Sequence, residues 1–444
     1  MVSSIAKRYL FQANPWWRDK KKIERDTYIL SIKRARVKRN YEEITRRVLS
    51  TNYAVITGPL FTGKTTLLKF LIAESYKKGL FPIYLPLGKQ GVKLSDLIHY
   101  VKNLSRNTSN TALIVDDANE IDLKTLEMHK EYFERIYVAS SLKILSNEFN
   151  NFELLPLSFP EYAENFIDMH LRKKTLQFKD FEHIFDQKDI IQNMHENTDI
   201  LNEIFRLYLA SGGIPRIVEW ILRCKETPMF FISLLYKRIS ADMEPECIEI
   251  MHDILTQIID MLSISISVRE RARKLKKPTD LLETCLTILE RNYIIGKLYN
   301  KELKVYLRDP FYLHTIYYLF YPAKRKDIVV SEFIIGGKKG YLVESIVFEH
   351  LYRIFGCKLR SLVTKKGEID FVVSSNNQGE LGIEVKYREH IRKRDILRAK
   401  EIARSEGVRV IILSKKELLF LEDVFVIPLS LFLYMFRIPS FLES

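Results

Sequence analysis

Nine residues constrain this chain more than any others: Gly58-Pro59-Leu60-Phe61-Thr62-Gly63-Lys64-Thr65-Thr66. They fit the spacing GxxxxGK[ST], and their setting fits as well. The apolar run Tyr53–Thr57 predicts a strand before them, and Lys64–Lys78 predicts an amphipathic helix after them. Glycines let such a loop wrap so that its backbone N–H groups point inward at phosphate oxygens. The helix that opens there adds its N-terminal partial positive charge. Gly58, Pro59, Gly63, Lys64, Thr65 and Thr66 are therefore the expected ATP-binding residues. Lys64 would neutralise the β/γ oxygens, and the Thr65 hydroxyl would ligate Mg²⁺.

A second strand supplies the carboxylates that such a loop needs. Ala112-Leu-Ile-Val-Asp116-Asp117 runs four apolar residues into two acids. Asp116 is placed to hold Mg²⁺ through water, and Asp117 to polarise an attacking water. Asp117 is one methylene shorter than a glutamate, which points to slow hydrolysis. Ser140 and Ser141 close the next apolar run, where a polar side chain can meet a γ-phosphate. Arg216 follows Gly212-Gly213-Ile214-Pro215 and can bring a guanidinium to a nucleotide. Turn chemistry alone explains the serines equally well, and an exposed helix N-terminus the arginine.

Strand and helix signals alternate from residue 53 to Leu157, which implies a parallel sheet with helices on both faces. After Pro160 the strand signals stop, and residues 161–262 read as helices. Leu281, Leu282, Cys285, Ile288 and Leu289 mark one face of a helix over Pro278–Asn292. Two short strands follow, Tyr293–Tyr299 and Leu303–Leu307, joined by Asn300-Lys301-Glu302. Helix then hairpin is the pattern of a winged helix-turn-helix. Its outward residues Thr279, Asp280, Glu283, Thr284 and Arg291 are not the basic surface that groove binding favours. Gly336-Gly337-Lys338-Lys339-Gly340 reads as a linker.

Charge bears on partners. The chain of 444 residues carries a formal net charge of +14. Residues 1–50 hold fourteen Lys and Arg against five Asp and Glu, an excess of nine. A positive block of that size favours a polyanion, with DNA ahead of RNA, although a solvated helix face accounts for it equally well. Cys224, Cys247, Cys285 and Cys357 show no metal-ligand spacing and suit reduced thiols in a cytoplasm. Val424–Phe436 is too short and too interrupted to span a bilayer and reads as core. The expectation is a soluble, cytoplasmic protein with no membrane partner, its oligomeric state open.

The P-loop, the Asp116-Asp117 strand, Pro156-Leu-Ser-Phe159-Pro-Glu161-Tyr162 and Ser211-Gly-Gly-Ile-Pro215 together resemble the archaeal and bacterial ATPases of the STAND/AAA+ group. Asn14-Pro-Trp-Trp17 and Tyr306-Leu-Arg-Asp309-Pro310 are similar to members of the same group. The resemblance implies a P-loop core with a helical lid, a winged-helix domain and a nuclease-like C-terminal domain. Members often carry an arginine shortly before the Pro-Leu-Ser-Phe piece. Ser146–Phe152 has none, which puts a trans-acting arginine and a ring-shaped motor in doubt.

Near the C-terminus, Asp370 ends Lys366-Gly-Glu-Ile-Asp370, and Glu384-Val-Lys386 follows on the next expected strand. Residues two apart on a strand share a face. Glu344 on the preceding helix can join them. Carboxylates holding Mg²⁺ beside a lysine that orients water are what metal-dependent phosphodiester cleavage requires. This D…ExK spacing resembles the PD-(D/E)xK nuclease superfamily. The resemblance implies Glu344, Asp370 and Glu384 as metal ligands and Asp370, Glu384 and Lys386 as catalytic residues, or else an inactive docking platform. Arg392, Lys393, Arg394, Arg398 and Lys400 on the next helix are candidates for phosphate contact.

The expected organisation is thus an α/β protein. It has a basic arm over 1–40, a P-loop core over 41–162, a helical lid over 163–230, a winged helix over 231–330 and a restriction-endonuclease-like domain over 333–444.

Overall fold

A computed structural model describes residues 2–87, 94–107, 110–167, 183–224, 228–241, 243–260, 265–266, 268–299, 303–320, 339–375, 379–436, 438 and 440–443. The expected turn 300–302 and linker residues 336–338 lie outside them. The chain is mixed α/β and divides into two compact units. One gathers Met1–Pro156, Arg291–Tyr293 and Ser440–Ser444; the other holds Leu157–Glu290 and Ile294–Pro439.

The first unit is built on parallel strands. Its elements are α1 (Val2–Ala13), α2 (Thr27–Arg34), α3 (Tyr41–Leu49), β1 (Tyr53–Thr57), α4 (Lys64–Lys77), β2 (Phe81–Pro86), α5 (Leu94–Asn107), β3 (Thr111–Asp116), α6 (Glu120–Glu127), β4 (Arg135–Ser140) and β5 (Asn150–Leu154). The strand order is β5-β1-β4-β3-β2, all parallel, and Phe441–Glu443 pairs antiparallel along the outer side of β5. Parallel strands buried on both faces are apolar throughout rather than alternating. β1 behaves this way: Ala54 and Ile56 join one core cluster and Val55 the opposite one. Helices of the expected basic arm over 1–40, and α3 after it, pack against this unit's core. Trp16, Ile23, Ile29, Tyr41, Ile44 and Val48 are buried beside α4, while Lys20, Lys21, Lys22, Arg25 and Lys38 stay exposed.

The second unit begins with helices, including α7 (Phe159–Ala163), α8 (Thr198–Ser211), α9 (Pro215–Cys224) and α10 (Pro245–Asp260). A small antiparallel sheet follows, formed by β6 (Ser265–Ile266), β7 (Ile295–Tyr299) and β8 (Leu303–Leu307) in the order β6-β8-β7. α11 (Val268–Leu275) and α12 (Thr279–Arg291) precede the hairpin. Leu282, Cys285, Leu286 and Leu289 form the buried face of α12, and Asp280, Glu283 and Thr284 are exposed.

Next come α13 (Pro310–Phe320), α14 (Lys339–Phe355), β9 (Arg360–Thr364), β10 (Gly367–Ser375), β11 (Gly379–Val385), α15 (Lys393–Glu406), β12 (Val408–Ser414), β13 (Leu419–Phe420), β14 (Val424–Pro428) and α16 (Leu429–Met435). Their sheet runs β13-β14-β12-β11-β10-β9, antiparallel through β9, β10 and β11 and parallel through β11, β12 and β14. The Val424–Phe436 run is core: β14 and α16 are buried throughout.

The cysteine expectation needs correction. Cys247 on α10 and Cys285 on α12 form a disulfide, their Cα atoms 5.6 Å apart. The two lie 38 residues apart, and only the packing of two helices brings them together, so linear spacing gives no sign of the pair.

Candidate functional site

The nucleotide loop is closed on itself. β1 ends at Thr57, and Gly58 takes φ +151°, where a Cβ would lie 2.2 Å from the Leu154 carbonyl oxygen. Gly63 caps α4 at φ +100°, and a Cβ there would meet the Tyr41 hydroxyl at 1.9 Å. Both positions combine a left-handed conformation with close approach, and only glycine satisfies both. The Thr62 hydroxyl donates to the Pro59 carbonyl at 2.9 Å. Arg39, buried, donates to the Thr62 carbonyl at 3.2 Å and to that of Leu155.

Lys64 departs from expectation. In the absence of phosphate a solvent-facing, unpaired ammonium is expected. Instead its Nζ is half-buried and donates to the carbonyls of Gly58 and Pro59, each at 2.7 Å. The physical reason is local. A loop that turns its N–H groups one way turns some carbonyls the other, and a cation within reach satisfies them.

The carboxylate strand lies two places away in the sheet, with β4 between. Asp116 ends β3, is 8% exposed, and is hydrogen-bonded by the Thr65 hydroxyl and by Tyr84, whose hydroxyl donates to Oδ2 at 2.8 Å. Burial pushes the Asp116 carboxyl above its ordinary range; the Tyr84 and Thr65 hydrogen bonds and the charge of Lys64 oppose that rise. Asp117 is exposed and adopts φ +61°, a conformation that Asp tolerates better than most residues. Ser140 pairs in register with Thr57, and its hydroxyl accepts from the Leu142 N–H at 3.1 Å, a turn role. The buried Ser141 hydroxyl has no hydrogen-bond partner among the described residues. Tyr293 donates to Thr57 Oγ1 at 2.8 Å and to Glu153 at 3.1 Å. Thr65 beside Asp116, an orphaned hydroxyl near the strand ends and a pre-wrapped loop fit a magnesium–nucleotide complex.

In the second unit, Arg216 is exposed with its guanidinium 5.9 Å from the Phe231 ring centre. The Leu157, Gly213 and Asp309 motifs meet. The Leu157 N–H donates to the Gly213 carbonyl at 2.7 Å, and the Gly213 N–H donates to Asp309 at 2.8 Å. Burial pushes the Asp309 carboxyl up to about 7. A small pocket adjoins them, lined by Ser158, Arg308, Asp309, Glu349 and His350 among others. Arg308 and Arg353 both pair with Glu349 there.

The carboxylate–lysine corner forms in the same unit. Phe371 on β10 stands opposite Ile383 on β11, so the next pair outward is Asp370 and Glu384. Asp370 Oδ2 accepts from the Val385 N–H at 2.7 Å, and Glu384 Oε2 from the Asp370 N–H at 3.3 Å. Glu384 is 4% exposed and is ion-paired with Lys386 at 2.7 Å and with Arg398. Glu344 on α14 accepts from the Tyr306 hydroxyl at 3.0 Å. Burial raises the Asp370 carboxyl well above its ordinary value, with Glu384 and Glu344 adding repulsion; Glu344 is also raised, chiefly by burial. Burial works against the Lys386 charge, but Glu384 and Asp370 outweigh it and hold its pKa above the usual range.

The metal trio therefore needs correction as geometry. Glu344, Asp370 and Glu384 are near enough to repel. Yet among the described residues no group of three His, Cys, Asp or Glu is placed to hold a metal ion. Both Glu384 oxygens and Asp370 Oδ2 are taken, by Lys386, Arg398 and the N–H groups of Asp370 and Val385. Of the basic helix residues, Arg392, Lys393 and Arg394 are exposed, whereas Arg398 is turned to Glu384.

Sequence reasoning missed Tyr84, Arg39 and Tyr41, which hold the loop and its carboxylate. Each lies several turns or a whole strand away along the chain from the group it serves, and no spacing rule marks them.

Residues 339–432 match the family model described as "Domain of unknown function (DUF4143)". No curated protein matches the chain. Among solved structures, the chain is similar to one titled "Structure of C. elegans PCH-2", with 12% identity and a TM-score of 0.24. The match covers 44% of this chain and 56% of that one, so this chain spans little more than half of that protein's length. No helix among the described residues is long and apolar enough to cross a membrane.

Proposed function

We propose that the chain is a magnesium-dependent, slowly hydrolysing ATPase of the STAND/AAA+ type that couples nucleotide state to a nucleic-acid-directed C-terminal domain. The observation that carries this is the Gly58–Thr66 loop, wrapped at two glycines that admit no Cβ and closed by Lys64 on its own carbonyls, with the buried Asp116 ending β3. The N–H groups of the loop and the N-terminus of α4 bind the phosphates, and Lys64 exchanges its two carbonyl partners for phosphate oxygens. Mg²⁺, when bound by Thr65 and through water by Asp116, supplies neutralisation of β/γ charge. Asp117 orients and deprotonates the attacking water. The α11–α12–hairpin segment is read as the winged helix, and the helices around Ser211–Pro215 as the lid.

The test is nucleotide binding and phosphate release by the full chain beside Lys64→Ala. Unchanged affinity in that variant rejects the nucleotide-site reading.

A second reading applies to the C-terminal domain alone: a docking module without cleavage. The pairing of Glu384 with both Lys386 and Arg398 favours it, because these cations neutralise what a metal would otherwise hold. Incubation of the full chain with Mn²⁺ or Mg²⁺ and single-stranded, duplex and branched DNA separates the two. Cleavage that is lost in Asp370→Ala supports the nuclease, and binding without cleavage supports the module.

A further inference from the structure

Asp116 does not stand alone on its strand end. Its register partner on β2 is Pro86, and Tyr84 stands two residues back, on the same face of the sheet by the period of two. From there the phenol reaches Oδ2 at 2.8 Å. The second torsion of an aspartate is broad, so a donor fixed on one oxygen decides which oxygen remains for a metal-bound water.

Tyr84 is itself unusually well held. β2 is the outer strand of the sheet, and a side-chain amide closes its edge. Asn14 accepts from the Tyr84 N–H at 2.7 Å and donates to the Tyr84 carbonyl at 2.8 Å. Asn14 is fully buried, and neighbouring Trp16 packs against the Tyr84 ring at 6.1 Å between centroids.

Above the other side of that arrangement sits an ammonium. Lys69 on α4 is 7% exposed, and its Nζ lies 3.8 Å from the Tyr84 ring centre and 4.8 Å from that of Trp16. Its counter-charge is Asp26 at 3.7 Å. A cation on the ring face draws electron density from the phenol and strengthens its O–H as a donor.

We propose that Tyr84 is a positioning residue for the magnesium-facing carboxylate, and that Lys69, Trp16 and Asn14 hold and polarise it. The inference rests on reading Gly58–Thr66 and Asp116 as a magnesium–nucleotide site. It assigns the Asn14–Trp17 segment a task in that site, carried through a side chain on β2. The assigned role of Tyr84 is indirect. It acts on Asp116, as outer-shell partners of metal ligands do.

The experiment measures binding of a fluorescent ATP analogue to the full chain, in EDTA and across a Mg²⁺ titration, with melting temperature as a check on folding. Tyr84→Phe keeps the ring and hence its packing against Lys69 and Trp16. The expected result is nucleotide affinity in EDTA within about twofold of the parent, with half-saturating Mg²⁺ raised roughly 10–100-fold. Lys69→Met should shift the Mg²⁺ requirement in the same direction by less, and Lys69→Arg should restore it.

Equal loss of affinity with and without Mg²⁺ in Tyr84→Phe would mean a merely structural role and overturn the proposal. So would an unmoved Mg²⁺ midpoint alongside a Lys64→Ala variant that no longer binds, an outcome that leaves the nucleotide site standing. Retained binding in Lys64→Ala would instead bring down the site itself.

Discussion

The nucleotide loop and the carboxylate corner are both polar sites at strand ends, but they treat charge in opposite ways. At the loop, Lys64 is held by two neutral carbonyls. Exchanging them for an anion costs little and gains a charge–charge interaction. At the corner, Glu384 is already matched by Lys386 and Arg398, and Asp370 is raised by burial and by its acidic neighbours. A divalent cation entering there has to displace a cation already paired with Glu384. The first site is prepared for its ligand, whereas the second is satisfied without one. Element order and residue identity alone cannot distinguish these states, because both sites carry the residue types their chemistry needs.

The largest effect that bears on this contrast is expected from Lys64→Ala. Removing a charge-assisted bond to phosphate in a pre-wrapped site should reduce ATP affinity about 100-fold or more, as read by equilibrium titration. The melting temperature of the variant should change little, since water can take the place of the ammonium at the two loop carbonyls. A large drop in stability with modest loss of affinity would place Lys64 with the structural cations of the corner.

Asp117→Asn comes next. Asparagine tolerates the same positive φ, so the backbone is preserved while the proton acceptor is lost. Phosphate release should fall on the order of 10²-fold or more, with ATP still bound. Undiminished release would move the base elsewhere.

A smaller effect sharpens the other half of the comparison. The folded-state pKa of Asp370 is raised above its unfolded value. Its contribution to stability is therefore fully present below the unfolded carboxyl pKa, and it is lost as pH rises through the folded one. Asp370→Asn keeps an acceptor for the Val385 N–H and removes the repulsion. It should raise the melting temperature at neutral pH by roughly 2–4 °C and have no such effect in acid. Destabilisation at neutral pH would show that the charge is in use, as a metal ligand would be.

The smallest effect concerns the exposed lysines beside α2. If they touch DNA, replacing Lys20, Lys21 and Lys22 with alanine should lower the log–log salt slope of binding by roughly 0.9 for each phosphate no longer neutralised. An unchanged slope would remove them from the interface. Substitution is preferable to deletion of 1–39, because Leu10, Trp16 and Ile23 are core residues.

How much of this is legible in the chain itself follows from how local each feature is. The loop is readable because nine consecutive residues carry it, and the order of strands and helices because periodicity is local. The sequence reads as helices over Tyr341–Phe355 and Ile391–Glu406, within a turn of the observed α14 and α15. The resting partners of Lys64 are not readable, since they depend on which way two carbonyls point. The basic character of its helix predicts phosphate contact for Arg398, whereas its reach to Glu384 depends on how α15 lies across the sheet. Cys247–Cys285, Asn14–Tyr84 and Lys69–Tyr84 are tertiary pairings, with no periodic signature.

The strand Phe441–Glu443 has a consequence for synthesis. It completes the edge of a sheet whose other members lie before residue 155. There Phe441 stacks on Phe152 at 5.1 Å, and its carbonyl accepts from Arg47, 394 residues earlier. From Leu154 to Phe441 the chain runs 287 residues, which at ~5–20 residues per second takes a ribosome roughly 15–60 s. Throughout it, the outer hydrogen-bonding groups of β5 face solvent as an open template for any passing strand. The five parallel strands of the nucleotide sheet are thus made before residues 157–439 and closed only after them.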